Sequence, residues 1–332
     1  MRARPLLALF LLLGTRVAAA DYSQHPRVPL LLEKLKSEYA FSDSELDNVR
    51  AALADAKQVP ALIQAEQQAK EKTLNWSAYR PIHLFDRNIA DGARFLREQQ
   101  VWLAKAEREF GVPPPVIAAV LGVETKYGTQ TGGRRALDAL ATQGFDHPTR
   151  AEFFLDELAA FFALCREQGF DARALKGSYA GALGAAQFMP SRYRRLALDF
   201  DGDGKKDLWS LPDAIGSVAN YLANYAPATG WRRGEPIALP VRENHAGEKL
   251  ARNAKVASAD IAALAQDGVH PVEPLPEDEP AELLELTLDQ GPEYWLGLPN
   301  FYSVMSYNPR VYYAMAVTQL SQALQAQMTE AR

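Results

Sequence analysis

Cysteine is nearly absent: Cys165 is the only one in 332 residues. A lone thiol excludes any intramolecular disulfide, so stability must come from an ordinary apolar core or from a bound metal. Cys165 itself lies in the apolar stretch FFALC, where a thiol serves as a small packing residue. Basic charge is not in excess either. The formal charge is −5 at pH 7, which argues against a nucleic-acid partner, because a phosphate backbone demands a basic face. Runs apolar enough to cross a membrane are missing too. PLLALFLLLG, near the N-terminus, has about ten residues, half of what a spanning helix needs. No internal repeat is evident.

What stands at the N-terminus is a leader. MRAR is a short basic start, the apolar run follows, and VAAA before Asp21 offers an A-x-A cleavage site. Residues 1–20 therefore read as a secretory signal peptide, with an uncleaved anchor as the alternative. Loss of Arg2, Arg4 and Arg16 with the leader takes the formal charge from −5 to −8. No cysteine lies near the cleavage site, so lipid attachment there is not expected. The remaining chain of about 310 residues is long enough for one large domain or two to three small ones.

Helical spacing of apolar residues dominates this chain. In SDSELDNVRAAL an N-cap at Ser42 or Ser44 precedes acids in the first turn. RNIADGARFLREQQVWLAKAEREFG reads as one long amphipathic helix ending at Gly111. PPPVIAAVLGVETKYG follows, with proline in its first turn and glycine at its end. RAEFFLDELAAFFALCREQG and DAIGSVANYLANYA are two more helices, the second apolar nearly all round. After Trp231 the character changes: EPIALPVRE and LLELTLD alternate as strands do, with a short helix and an acidic, proline-rich loop between them. The expected fold class is mainly α (α+β). It divides into a helical domain over 21–110, a helical core over 111–231, a small β-containing subdomain over 232–298 and a C-terminal helical segment over 299–332.

Glu124 is the first candidate for chemistry. On a helix its neighbours at i−3, i−4 and i−7 are Leu121, Val120 and Ile117, all apolar, so the carboxylate lies on the stripe that should face the core. An apolar setting disfavours the charged form and raises a carboxyl pKa, which suits a general acid near neutral pH. The alternative is a glutamate near a helix end that reaches solvent or Lys126.

The second candidate is DFDGDGKKDLWSLPD. Asp199, Asp201 and Asp203 occupy positions 1, 3 and 5 of a calcium loop, and Gly204 supplies the turn at position 6. Lys205 at position 7 would offer its backbone carbonyl. Ser210 stands where a glutamate is usual at position 12, and Asp213 is the nearest acid able to complete the shell. The alternative is a solvated Asp-Gly turn.

Two further stretches are weaker alone. KGSYAGALGAAQFMPSRY has three glycines, which let a ligand or another backbone approach closely. Its Gln187, Phe188 and Met189 suit a sugar subsite, but the stretch alone reads better as a tightly packed loop and short helix. Tyr221, Tyr307, Asn308, Tyr312 and Tyr313 are able to stack on sugars and bond hydroxyls, or to fill an aromatic helix core.

Taken in order, GVETKYG, ALDALAT, SYAGALGAAQFMPS, DFDGDGKKDLW, DAIGSVANYL and NFYSVMSYNPRVYYAMAV resemble the lytic murein transglycosylase B family, periplasmic enzymes that cleave peptidoglycan. The resemblance covers residues 75 to about 320. It implies a lysozyme-like core flanked by an α domain and a small β domain, with the C-terminal segment closing the cleft. It makes Glu124 the acid/base. Ser178 and Gln187 belong by the same resemblance to the site around the sugar. Met189, Tyr221, Tyr307, Asn308, Tyr313 and Tyr79 fall on cleft-lining positions. Calcium, as a structural ion on Asp199, Asp201, Asp203, Lys205 and Asp213, is part of the same resemblance; no organic cofactor is expected. Two departures matter. Founding members are lipoproteins, and this chain has no lipid-accepting cysteine, so a soluble periplasmic protein is expected. Pro309 and Arg310 stand where the family often has a small residue and serine.

The resemblance implies that Glu124 protonates the glycosidic oxygen between N-acetylmuramic acid and N-acetylglucosamine. The muramic N-acetyl group then stabilises the cation at C1, so no second carboxylate is needed. The sugar's own 6-hydroxyl gives its proton to Glu124 and attacks C1, leaving a 1,6-anhydromuramic end. The partners are peptidoglycan glycan strands, and a monomer is expected. The rival readings are a lysozyme-type hydrolase using water, and a non-catalytic calcium-stabilised wall-binding protein. Burial of Glu124 argues against the second, because binding alone does not offset the desolvation of a carboxylate.

Overall fold

The computed structural model describes residues 21–67, 73–244 and 250–330. The leader lies outside them. In chain order the elements are α1 (Val28–Tyr39), α2 (Asp43–Asp55), α3 (Ala61–Gln67), α4 (Trp76–Tyr79), α5 (Asp86–Glu98), α6 (Gln100–Phe110) and α7 (Pro114–Thr125). Then come β1 (Arg134–Arg135), α8 (Ala136–Asp146), α9 (Ala151–Gln168), β2 (Lys176–Gly177), α10 (Pro190–Leu196) and α11 (Leu211–Asn224). The last third holds β3 (Ala238–Asn244), β4 (Ala259–Asp260), α12 (Ile261–Gln266), β5 (Val269–Pro271), β6 (Pro280–Leu288), β7 (Gly291–Gly297), α13 (Pro299–Tyr307) and α14 (Val311–Glu330). The fold is mainly helical, with a five-stranded sheet in its last third and a two-stranded ladder of β1 and β2.

Local chemistry sets most of these boundaries. Ser42 caps α2: its hydroxyl accepts from Glu45 N while the Glu45 carboxylate accepts from Ser42 N at 2.7 Å, a reciprocal capping box. Pro114 opens α7, where a missing N–H costs nothing. Gly169 ends α9 in the left-handed region at φ 68°. The long helix expected over Arg87–Gly111 is instead two. The break falls at Gln99, with φ −103° and ψ 17°. It lets α5 lie on α7 and α14 while α6 turns to pack on α11. Periodicity cannot register such a break when the apolar spacing stays in phase across it.

The core is one continuous cluster centred on α7. Residues Ile117, Ala118, Ala119, Val120 and Leu121 are fully buried there, covered by α5, α11 and α14. A helix apolar all round must be central, because no face can meet water. The antiparallel sheet runs β4-β6-β7-β3-β5 and carries its own apolar cluster of Ile261, Leu264, Val269, Leu283 and Leu296. Strand β7 was not legible: it opens with Gly291-Pro292 and pairs with β6 through a tight hairpin. That hairpin is tied to α4, since Asn75 Nδ2 donates to Asp289 Oδ1 at 2.8 Å and Asp289 N donates to Ser77 Oγ at 3.1 Å. The sheet thus steadies the segment that ends in Tyr79.

Candidate active site

A cleft of about 610 Å³ opens where the end of α7, the start of α9, the loop from Ser178 to Met189 and the α13–α14 turn converge. It gathers Tyr79, Glu124, Ser178, Gln187, Met189, Tyr307, Asn308 and Tyr313, eight of the nine residues expected there. The exception is Tyr221. It is fully buried behind the wall, stacks on Tyr225 at 4.5 Å, packs on Tyr307 at 4.5 Å and donates to Ser306 O at 2.7 Å. Its place in α11 turns it inward, so it supports the Tyr307 ring instead of lining the cleft.

Glu124 sits half-buried on the last turn of α7. The helix ends just after it in a Schellman-type cap: Lys126 N donates to Gly122 O at 3.2 Å and Tyr127 N to Leu121 O at 3.0 Å. Lys126 and Tyr127 both take positive φ, 51° and 59°, so the expected glycine stop is replaced by two ordinary residues. Gly122 makes this possible. A Cβ there would lie 2.7 Å from the Tyr127 ring, which folds back under the helix and donates from Oη to Asn88 O at 2.9 Å. Thr125 adds a second tie, donating to Ala185 O at 2.9 Å and accepting from Gly128 N at 2.9 Å. The Glu124 turn is therefore bolted to α5 on one side and to the Gln187 loop on the other.

Tyr313, from α14, donates its phenol to Glu124 Oε1 at 2.7 Å. Both Tyr313 and Tyr307 titrate well above the usual phenol range, first because they are buried and next because the Glu124 charge is close. They remain neutral donors. Tyr307 in turn donates to Ala186 O, and its ring stacks on Tyr313 at 6.3 Å and 13°. A phenol donating to Oε1 fixes that oxygen as an acceptor.

Across the cleft, Gln187 adopts φ 52°, a left-handed conformation rare for a residue with a side chain. Its Nε2 donates to Gly184 O at 2.8 Å and Thr131 O at 3.2 Å. Both amide hydrogens are thereby engaged, and the carbonyl oxygen is left as an acceptor. Ser178 Oγ accepts from Ala182 N at 3.0 Å and Ala180 N at 3.3 Å, which leaves its O–H to donate.

Several cleft residues carried no signal in sequence, among them His83, Arg150, Phe153, Tyr179 and Arg192. Glu157 is different. It is 5 % exposed, its Oε2 accepts from Ser191 N at 2.9 Å and its Oε1 from Ser191 Oγ at 2.6 Å. Burial pushes its carboxyl above the usual range. It holds the first turn of α10, hence Met189 and Arg192, against α9. Its position on an apolar face, with Phe154 three residues before and Phe161 four after, was readable by the reasoning applied to Glu124.

The acidic loop between α10 and α11 brings carboxylate oxygens of Asp199, Asp201 and Asp213 within 4.8 Å of one another. Asp203 lies outside that group; its Oδ1 accepts from Lys205 N at 2.9 Å. Gly202 and Gly204 hold the turn at φ 80° and 91°, which only glycine adopts freely. Asp213 is fully buried at the third position of α11 and accepts from Phe200 N at 2.6 Å and Asp207 N at 2.7 Å. Burial raises its pKa despite those bonds, and the nearby Asp201 adds to the rise. Among the described residues none of the three clustered carboxylates has a lysine or arginine ion-pair partner. Converging, unneutralised oxygens around a glycine turn fit a hard divalent cation.

Comparison with known proteins places the whole chain. Residues 30–322 match the family described as the transglycosylase SLT domain. The chain is 37% identical over 313 residues to membrane-bound lytic murein transglycosylase B of Escherichia coli (strain K12), covering 92% of this chain and 84% of that protein. Among solved structures, the Escherichia coli lytic transglycosylase Slt35 in complex with calcium superposes with a TM-score of 0.82 at 36% identity, over 95% of this chain and 96% of that one. Soluble lytic transglycosylase SltB1 from Pseudomonas aeruginosa gives a TM-score of 0.82 at 37% identity, over 92% and 100%. The mainly helical core is thus of the lysozyme-like kind, and the chain belongs to the lytic transglycosylase family with the SLT domain.

Proposed function

We propose that the protein is a peptidoglycan lytic transglycosylase whose single acid/base is Glu124. The observation that carries the reading is the Tyr313 phenol on Glu124 Oε1 at 2.7 Å, inside a cleft lined by aromatic and amide side chains. It fixes the orientation of the carboxyl group. Glu124 Oε2 gives its proton to the glycosidic oxygen as the bond from muramic C1 breaks. The acetamido oxygen of the same muramic residue stabilises the cation at C1. The 6-hydroxyl then attacks C1 and its proton returns to the Glu124 carboxylate, so the cycle closes without water. Gln187 accepts from the acetamido N–H, and Ser178 donates to a sugar oxygen, which holds the group at C1. Tyr79, Met189, Tyr307 and Asn308 line the glycan path.

Asp199, Asp201 and Asp213 would hold calcium, and Asp203 and the Lys205 carbonyl would be the further ligands. That none of these residues lines the cleft supports a structural part for the ion. The basic and apolar leader, and the lack of a cysteine beside its A-x-A site, support a soluble periplasmic protein, which we take to act as a monomer. Digestion of purified sacculi tests the reading. Wild type is expected to release 1,6-anhydromuropeptides, and folded Glu124→Gln to lose at least the ~10²–10⁴-fold that general acid–base catalysis supplies. Reducing ends in place of anhydro ends establish a hydrolase, and near-normal release by Glu124→Gln overturns the assignment.

A further inference from the structure

We propose that His83 is a glycan-binding residue whose Nε2–H donates to the carbonyl oxygen of an N-acetylglucosamine acetyl group lying beside Tyr79. The proposal rests on the reading of the cleft given above. His83 lines the cleft with Tyr79 and Glu124, and its ring packs on Tyr79 at 5.2 Å. Its backbone is anchored on both sides. His83 N donates to Arg80 O at 3.1 Å, and the buried Asn88 donates from Nδ2 to His83 O at 2.7 Å. Tyr127, in the turn that follows Glu124, donates to Asn88 O at 2.9 Å. A short chain of hydrogen bonds thus fixes His83 relative to the acid, as preorganised binding requires.

His83 is 9 % exposed, yet neither ring nitrogen has a partner, and Nδ1 is sealed from solvent. Burial and the nearby Lys126 charge push its pKa down to about 4, so it is neutral at neutral pH and carries one N–H. On Nδ1 that hydrogen would be a buried donor with no acceptor. On Nε2 it reaches the cleft. The favoured tautomer therefore presents a donor beside an aromatic ring, and its complement is a carbonyl oxygen with a methyl next to it. Peptidoglycan offers that pair in its N-acetyl groups. The muramic acetamido group is engaged at C1, which leaves that of N-acetylglucosamine.

Kinetics on two glycans tests this, one natural and one with glucosamine in place of N-acetylglucosamine. His83→Phe keeps the ring packing and removes the donor; His83→Gln keeps an N–H and loses the ring. On the natural glycan His83→Phe is expected to lower kcat/KM about tenfold, the loss of one hydrogen bond, and His83→Gln to recover to within about threefold of wild type. On the glucosamine glycan the three proteins should agree within about twofold. A packing role predicts the reverse order, with phenylalanine the better replacement, and that result overturns the proposal. Equal kcat/KM for all three on the natural glycan, with Glu124→Gln inactive, overturns it and leaves the reading of the cleft standing. Activity in Glu124→Gln overturns both. Should His83→Phe fail to fold, nitrogen-15 spectra of wild type with N,N′,N″-triacetylchitotriose decide. A neutral Nε2–H signal that moves on titration supports the proposal, and one that stays fixed overturns it.

Discussion

Replacing Tyr313 by phenylalanine isolates one interaction. The ring is 2 % exposed and stacks on Tyr307, so phenylalanine fills the same space and only the phenol oxygen is lost. That oxygen makes the 2.7 Å bond to Glu124 Oε1. A hydrogen bond to a charged acceptor contributes about 1.5–3 kcal/mol, equivalent to roughly 10- to 100-fold in rate if the bond is fully used when Glu124 is ionised. The bond is strongest after Glu124 has given up its proton, so the loss should appear in kcat with KM little changed. Release of anhydromuropeptides from sacculi over a range of substrate concentrations separates the two constants. A cycle with Glu124→Gln adds a check: Tyr313→Phe should cost little in that background, because the charge it serves is gone. A kcat within twofold of wild type, or a rise in KM alone, refutes the role given to the phenol.

Gly122→Ala places a Cβ 2.7 Å from the Tyr127 ring, and overpacking of this kind costs about 1–3 kcal/mol. Thermal unfolding should show a loss where helix propensity alone predicts a gain of about 1 kcal/mol, and Gly133→Ala, with nothing within 4 Å, serves as the control. Chelation should lower the melting temperature and calcium restore it, with magnesium less effective because it demands a tighter octahedral shell; identical melting curves refute the site. Burial holds the Asp213 carboxyl above the ordinary aspartate range, so protons compete with calcium there at higher pH than at an exposed aspartate, and calorimetric affinity should fall as pH is lowered through that range. His83 is pushed from 6.5 to about 4 in the folded protein. Its contribution is therefore present above pH 6.5 and is lost as pH falls towards 4, by at most about 3 kcal/mol; His83→Phe should flatten that part of the stability–pH curve measured by denaturant unfolding.

The helices were legible because each satisfies a local rule that neighbours do not override. Ser42 caps α2 through Glu45, and α7 is apolar all round from Val116 to Leu121 because that stretch is covered on all sides. The break at Gln99 and strand β7 were not legible, since both depend on what packs against them: α11 receives α6, and β6 supplies the partner ladder for β7. The cleft residues divide in the same way. Glu124, Ser178, Gln187 and Tyr307 stand in stretches whose small residues and aromatics carry meaning in order. His83 and Arg192 reach the cleft only because the chain folds back on itself there. Tyr221 shows the converse error. A helix register tells which residues share a face, but not whether that face meets a cavity or another ring, and α11 turns this one against Tyr225 and Tyr307.

Glu124 itself shows how far the apolar stripe determines the chemistry. Ile117, Val120 and Leu121 fix the direction of the carboxylate from the helix axis, and that much follows from spacing. The distance it projects is set by where the helix stops. Had α7 continued through Lys126, the next turn would have covered the carboxylate. It stops because Lys126 and Tyr127 both accept positive φ, an unfavourable conformation for residues with side chains. The compensation is remote in sequence: the Tyr127 ring lies against Gly92 of α5 as well as Gly122, and its phenol finds Asn88 O. Two glycines thirty residues apart are needed to seat one tyrosine, and that tyrosine ends the helix at the residue after the acid. The conformational cost is therefore met by packing between α5 and α7, which ties the position of the acid to the stability of that contact. Disturbing Gly92 should then lower activity through Glu124, although Gly92 touches neither the carboxylate nor the cleft.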